Sequence, residues 1–483
     1  MHKPKIFFYQ LLAFALLVGI NVSCEKDEAV EPVNPAPTPE AEVSDLQLET
    51  NNWIYDVMQE IYLWEDELPA APNKELEPED FYNSLLSSKD RFSYIIADYQ
   101  ELMNSLNGVS REAGYEFMLS RSGDSNVVAV VLYVKKDSPA QAAGLKRGDV
   151  ITSINGQTIT MSNYQDLIAA AGENHTVDYR RFNEVKNAYE TQAGVSLAAV
   201  ELSENPNFLD TVYVAPNGKK VGYFVYNFFS PGVGNSNTYD QEMDNIIADF
   251  KSKGVNELVL DLRYNSGGAV SSAANLASLV GQNVNSSKVF YENRWNQLYQ
   301  DYISGRADGD DILRGKFLTK DLTIGNDLAS GTIYVLVGSR TASASELIIN
   351  GLKPYMNVVV IGEKTVGKNV GSIPIEDEEN PDNHYGLLPI VFQIYNSQGQ
   401  SDYAGGFTPD AGSEIDEFSL FPFKQLGDIN EPLLARALQL ISGEGARIST
   451  KAARELEPMT PIMSSIDKKI RSNRLILDKA PQL

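Results

Sequence analysis

Residues 332–368 read TIYVLVGSRTASASELIINGLKPYMNVVVIGEKTVGK, and this stretch decides the fold. Thr332–Gly338 is a continuous apolar run closed by glycine, the pattern of a buried strand. A helical period follows over Ser345–Tyr355, and Asn357–Gly362 is a second buried strand. The alternation continues upstream: VGYFVYNFF (221–229), a helix over MDNIIADFKSK (243–253), ELVLDLRY (257–264) and a helix over VSSAANLASLV (270–280). Strands and amphipathic helices in alternation bury their apolar faces by stacking in layers, so residues 187–441 read as a layered α/β core.

Nearer the N-terminus the period changes. Short strands with turn signals run through VVAVVLYV (127–134), KKDSPAQAAGLKRGDV (135–150), ITSINGQTI (151–159) and a helical NYQDLIAAA (163–171). These strings resemble a PDZ domain, placed at 108–186. The resemblance implies that Gly114, Tyr115, Glu116 and Phe117 form the carboxylate loop and strand that take a peptide as an added strand, its terminal carboxylate in a backbone nest. A purely structural PDZ fold is the alternative. Residues 46–107 carry Trp53, Ile54, Met58, Ile61, Tyr62 and Trp64 at three- and four-residue intervals, which predicts a small helical cap held by packing. The whole is a multidomain α/β chain.

Ahead of the cap, Lys3 and Lys5 precede an apolar run over Ile6–Ile20 that is short for a membrane span, giving a signal peptide over 1–23. NVSCEKDE (21–28) resembles the lipobox of bacterial lipoproteins, which implies lipid on Cys24. Asn21 and Ser23 depart from its usual Leu and Gly or Ala. The acidic run Glu25–Glu28 resembles the surface-export signal of Bacteroidetes lipoproteins. Pro32, Pro35, Pro37 and Pro39 make 24–45 a semi-extended tether. The expected location is the cell envelope: an outer-membrane lipoprotein, periplasmic or surface-exposed. The basic-biased tail, 442–483, on an acidic protein suggests either docking to the protein's own body or a solvated face, and the solvated face is the expectation.

Of 483 residues, 43 % are hydrophobic, which supports a large core. Asp plus Glu number 65 against 40 Lys plus Arg, a net charge of −25 that disfavours nucleic acid as a partner. One cysteine and three histidines exclude an intramolecular disulfide and a Cys-based zinc site, and leave little for a histidine metal centre. The acidic clusters Asp308–Asp311 and Glu376–Glu379 lack EF-hand spacing and read as solvated loops. A hydrolase built from this inventory needs a base other than histidine.

Two strand ends offer one. Ser343 stands at a strand-to-helix turn, where unpaired N–H groups and the helix dipole stabilise an oxyanion; taken alone it reads rather as an N-cap. Lys368 follows Gly367 at the end of the next buried strand, where desolvation depresses an amine's pKa and frees it as a base; taken alone it reads rather as a surface lysine. Their pairing on successive ends of one sheet favours chemistry. DLRYNSGG (261–268) ends a third strand in Gly267 and Gly268, where backbone can approach a reacting carbonyl.

Taken in order, the PDZ strings, DLRYNSGG, TASASE and GEKTVGK resemble the C-terminal processing peptidases, also called tail-specific proteases, from the helical cap to about residue 440. The resemblance implies a ClpP/crotonase-like core, Ser343 as nucleophile, Lys368 as general base, and an oxyanion hole from the N–H groups of Ala344 and Gly267, with Gly268 as its neighbour. It implies no cofactor, and protein or peptide substrates with exposed C-termini. Where many members carry a glutamine that orients the lysine, this chain has Ser372, a shorter hydroxyl. A Ser/His/Asp triad would have to recruit His175 or His384, neither of which flanks the serine turn. The expected activity is that of a serine-type endopeptidase; a non-catalytic, PDZ-bearing scaffold is the rival.

Overall fold

The computed structural model describes residues 43–123, 125–443 and 459–478. The expected signal peptide, Cys24 and almost all of the tether lie outside these residues. Asp45–Ile61 is helical: Ser44 caps it by accepting the Gln47 N–H at 3.1 Å, and Ile54, Met58 and Ile61 fall on one face. That face closes over Phe81, Tyr82 and Leu85. Two shorter helices, Pro78–Ser84 and Tyr99–Leu106, complete the cap, and a short strand, Tyr94–Ile96, pairs with Gly386–Leu388 of the core. Among the described residues no helix is long and apolar enough to cross a membrane.

The PDZ-like sheet runs in the order Met459–Ser464, Tyr115–Ser122, Asn126–Val134, Val150–Ile154, His175–Asn183, Ala188–Thr191. Ser138 caps the short Pro139–Ala142 helix as the sequence predicts. The boundary expected at 186 falls inside a hairpin, because His175–Asn183 and Ala188–Thr191 pair antiparallel across it. Val195–Leu197 and Val200–Ser203 also pair back onto this region. A polar turn between two half-exposed strands has the composition of a linker, which hides the hairpin from the sequence.

The core holds a five-stranded sheet ordered Asn207–Val214, Lys220–Tyr226, Glu257–Asp261, Thr332–Val337, Asn357–Gly362. The first pair is antiparallel and the other three are parallel. Parallel strands need crossover helices on the faces and read as unbroken apolar runs; Thr332–Val337 is buried at every position. Helices Thr238–Ser252, Val270–Val280 and Ala344–Leu352 pack on one face around Phe250, Leu276 and Ile348. Pro432–Ser442 covers the other through Leu433, Leu434 and Ala437. Because Glu257–Asp261, Thr332–Val337 and Asn357–Gly362 run the same way, their C-terminal ends deliver residues 262–268, 338–343 and 363–368 to one end of the sheet, the usual place for a site in such folds.

The described part of the tail, 459–478, is not a solvated face. Met459–Ser464 adds antiparallel to the Tyr115–Ser122 edge of the PDZ-like sheet. Arg474–Ile476 inserts between Gly267–Ala269 and Val370–Ser372, parallel to both, in a second, six-stranded core sheet. Two of its basic residues are ion-paired inside the protein. Lys469 pairs with Glu112 at 2.7 Å and Glu116 at 3.0 Å, and Arg471 with Glu204 at 2.5 Å. The buried Lys135 joins the same three carboxylates at 2.6, 3.0 and 2.7 Å, so three cations balance three anions. A basic composition is compatible with solvent or with buried acidic partners, and only the fold supplies those partners.

Candidate active site

Ser343 has φ +58° and ψ −115°, a region that costs a non-glycine residue about 1–3 kcal/mol. The turn is forced from both sides. Thr341 Oγ1 accepts the Gly338 N–H at 2.9 Å and donates to the Leu262 carbonyl at 2.8 Å, tying the strand end to its neighbour. On the other side, helix Ala344–Leu352 begins immediately. Ser343 is fully buried, and its Oγ has no hydrogen-bond partner among the described residues. The Ala344 N–H at the first helical position also has no acceptor among them. A hydroxyl and a main-chain donor without partners at a helix N-terminus suit nucleophilic attack and anion stabilisation.

Gly267 and Gly268 have φ of +110° and +135°. A Cβ on Gly267 would stand 2.4 Å from the Arg474 carbonyl oxygen and 2.5 Å from Ser343 Cβ; one on Gly268 would stand 2.1 Å from the Phe229 carbonyl oxygen. The glycine pair therefore lies directly against the serine. The Gly267 N–H donates to Asn265 Oδ1 at 2.9 Å, so this expected oxyanion donor is engaged within the protein. Both glycines border a cavity of about 1180 Å³ that is also lined by Phe228, Phe229, Pro374 and Ile476.

Lys368 is wholly buried. Burial, and then the Arg474 guanidinium, hold its amine well below the ordinary lysine range, while Asp90 and Glu346 act in the opposite sense. Nζ donates to the Asn473 carbonyl at 2.7 Å and sits 5.0 Å from the centre of the Phe92 ring. No hydrogen bond joins Nζ to Ser343 Oγ in this state. Ser372, expected to orient the amine, is buried with its Oγ unpartnered among the described residues. Its strand lies beside Arg474–Ile476, but the hydroxyl does not reach the base.

A group that local sequence reasoning left unused connects the two residues. Glu346 Oε2 accepts the N–H of Ser343 at 2.9 Å and of Lys368 at 2.8 Å. Its Oε1 accepts Gly367 N–H at 2.7 Å and Thr365 Oγ1 at 2.6 Å. Burial pushes this carboxyl up, and the four donors, Thr365 first, hold it back. Glu346 lies in TASASE, so the available signal was an acidic residue in the first turn of an otherwise apolar helix. Asn473, Arg474 and Phe92 carried no local signal at all.

The histidines lie elsewhere. His175 hydrogen-bonds Tyr115 Oη at 3.0 Å within the PDZ-like sheet, and His384 borders a cavity with Gln47 and Tyr385. From Phe117 onward the expected peptide edge is paired with the chain's own segment, while Gly114, Tyr115, Glu116 and Phe117 border a cavity of about 660 Å³ together with Ile168 and Ala171. The Phe117 N–H donates to Ser465 Oγ and the Phe117 carbonyl accepts the Ser465 N–H, each at 2.9 Å, while Glu116 pairs with Lys135 and Lys469. Gly114 packs on Ser138 and Tyr115 is buried. An incoming peptide strand would have to displace the chain's own segment from this edge.

Comparison with known proteins accords with this geometry. The profile of Peptidase family S41 matches residues 220–412, that of the Peptidase S41 N-terminal domain 49–94, and that of the PDZ domain 130–181. The chain is 24 % identical over 289 residues to the carboxy-terminal processing protease CtpA of Bacillus subtilis, covering 60 % of this chain and 54 % of that one. It is 23 % identical over 327 residues to a carboxyl-terminal-processing protease of Picosynechococcus, covering 67 % and 66 %. The match thus spans between half and two thirds of these curated relatives. A crystal structure from Bacteroides fragilis NCTC 9343, of a protein assigned to the S41 proteases, superposes with a TM-score of 0.68 at 30 % identity over 85 % of this chain and 99 % of that one.

Proposed function

The chain belongs to peptidase family S41, and on that premise we propose that it is a serine endopeptidase that cuts protein or peptide substrates, near exposed C-termini, with Ser343 and Lys368. Ser343 Oγ attacks the scissile carbonyl carbon as its proton passes to the neutral Lys368 amine. The carbonyl oxygen becomes an oxyanion, met by the Ala344 N–H at the helix N-terminus, with the glycine pair alongside; the Gly267 N–H contributes only as its bond to Asn265 Oδ1 gives way. Collapse breaks the C–N bond, and the Lys368 ammonium returns the proton to the leaving amine. Water, deprotonated by the same amine, then hydrolyses the acyl-enzyme. The Oγ-to-Nζ hydrogen bond forms in the substrate complex, where catalytic contacts tighten relative to the free enzyme.

The observation that carries this reading is the pair of buried groups sharing one carboxylate: a serine hydroxyl at positive φ with no partner among the described residues, and a lysine whose amine burial holds well below its ordinary range. Labelling with a fluorophosphonate, with mass spectrometry of a mixed peptide library after incubation, tests it. Wild type should label at Ser343 and generate cleaved peptides; an unlabelled, inert but folded wild type would refute the reading.

The lipobox resemblance supports anchoring through Cys24 and a place in the cell envelope. Cys24→Ser should convert a detergent-requiring species into a soluble one. A wild type already soluble after cell breakage would count against the anchor.

A further inference from the structure

A lysine base needs more than a low pKa: its lone pair must point at the nucleophile. A neutral amine has two N–H donors and one lone pair, and the long lysine stem leaves their direction unset unless a donor is held. Three observations bear on what holds it here. Ser372 does not, since its Oγ has no partner among the described residues. Among the described residues the one hydrogen bond made by Lys368 Nζ goes to the main-chain carbonyl of Asn473, at 2.7 Å, and the Phe92 ring centre lies 5.0 Å away. Asn473 itself adopts φ +54°, the left-handed region that Asn and Gly tolerate and β-branched residues resist. That conformation sets the direction of the carbonyl.

The surrounding contacts locate this carbonyl firmly. Arg474–Ile476 is clamped between the glycine strand and Val370–Ser372. Arg474 donates to the Phe92 and Ile470 carbonyls, each at 2.8 Å. Upstream, Met459–Ser464 and Ser465 occupy the PDZ-like edge, and Lys469 and Arg471 are ion-paired to its carboxylates.

We propose that the Asn473 main-chain carbonyl is the positioning group for the Lys368 base, delivered by the C-terminal segment, and that the PDZ-like sheet serves as the dock for that segment. The proposal rests on the Ser/Lys reading above. It replaces a side-chain orienting group with a backbone carbonyl contributed from 105 residues further along the chain.

The test uses the full-length protein and a peptide that wild type cuts. Determine kcat, KM and the pH profile of kcat/KM for wild type, Asn473→Gly, Asn473→Ala and Asn473→Val, with thermal melts alongside and Lys368→Ala as control. Asn473→Gly tolerates positive φ, keeps the carbonyl in place and should retain the highest kcat of the three variants. Asn473→Val should lower kcat by about tenfold or more while KM changes by less than about threefold. The rising limb of its pH profile should move, because the amine loses its fixed partner. Asn473→Ala should fall between. If the Val variant melts early, the Gly-to-Ala comparison decides, and equal kcat and pH limbs for those two would overturn the proposal. So would a Val variant with wild-type kcat, or a faster one, which would make the segment a brake. A fully active Lys368→Ala would instead refute the Ser/Lys reading itself.

Discussion

Ser343 and Lys368, 25 residues apart, donate their main-chain N–H groups to the same carboxylate oxygen, Oε2 of Glu346, at 2.9 and 2.8 Å. The serine turn and the lysine loop are thereby set against each other by one buried residue in the first turn of the nucleophile helix. Neither loop can shift alone without leaving a buried donor or acceptor unpaired, and each such loss costs about 1–3 kcal/mol.

Glu346→Gln should therefore be damaging although it is nearly isosteric. An amide keeps one acceptor oxygen and turns an NH2 toward the other two donors, so two of the four hydrogen bonds are lost. The expected outcome is a loss of about 2–5 kcal/mol in denaturant titration, with kcat falling by at least about a hundredfold. Retention of both stability and rate would show that the carboxylate is dispensable.

Ser343→Ala should abolish fluorophosphonate labelling and peptide cleavage. Ser345→Ala should keep most activity, since Ser345 Oγ is committed to the Asn265 carbonyl at 3.1 Å and its loss costs about 1 kcal/mol of stability. Equal inactivation of two folded variants would reassign the nucleophile.

Gly268→Ala should fold poorly or lose turnover. Its Cβ would stand 2.1 Å from the Phe229 carbonyl oxygen, so the glycine strand must move away from Ser343. Where protein is recovered, kcat should drop by about a hundredfold or more, the usual effect of displacing an oxyanion donor. A wild-type kcat would remove this strand from the anion site.

The rate should rise with pH through a single ionisation below the free-lysine value of about 10.4, because burial and then Arg474 disfavour the charged amine. Arg474→Met removes the neighbouring positive charge and should move that limb to higher pH. A limb moving down, or one lost in His175→Ala or His384→Ala, would point to another base. Lys368→Arg should be inert, since guanidinium does not release its proton in this range.

Acid should loosen the PDZ-like dock before the core. Burial alone would push the Glu204 carboxyl up, but Lys135 and Arg471 hold it at about 2 against an ordinary 4.5. A carboxyl depressed in the folded state stabilises fully above its unfolded value, and that contribution is lost as pH falls toward the folded one. Hydrogen exchange of residues 459–471 should accordingly rise between about pH 4.5 and 2. Unchanged protection across that window would mean that the ion pairs do not hold the segment.

Local pattern was enough for much of this protein. The unbroken apolar runs, the cap at Ser138, the strand-to-helix turn at Ser343 and the glycine pair are dictated by near neighbours in the chain. Periodicity and turn chemistry therefore read them correctly, including the layered α/β core and the convergence of three strand ends. Tertiary structure alone decided the rest. Ser343's positive φ depends on a hydroxyl from Thr341 bonded across to Leu262. Lys368 is held by Asn473, whose carbonyl is a backbone atom and leaves no trace in residue identity. The tail's basic residues are indistinguishable in composition from a solvated face until Glu112, Glu116 and Glu204 are brought against them. The physical reason is common to all three: hydrogen bonds and ion pairs between distant segments depend on where the chain returns, and no local periodicity encodes that return.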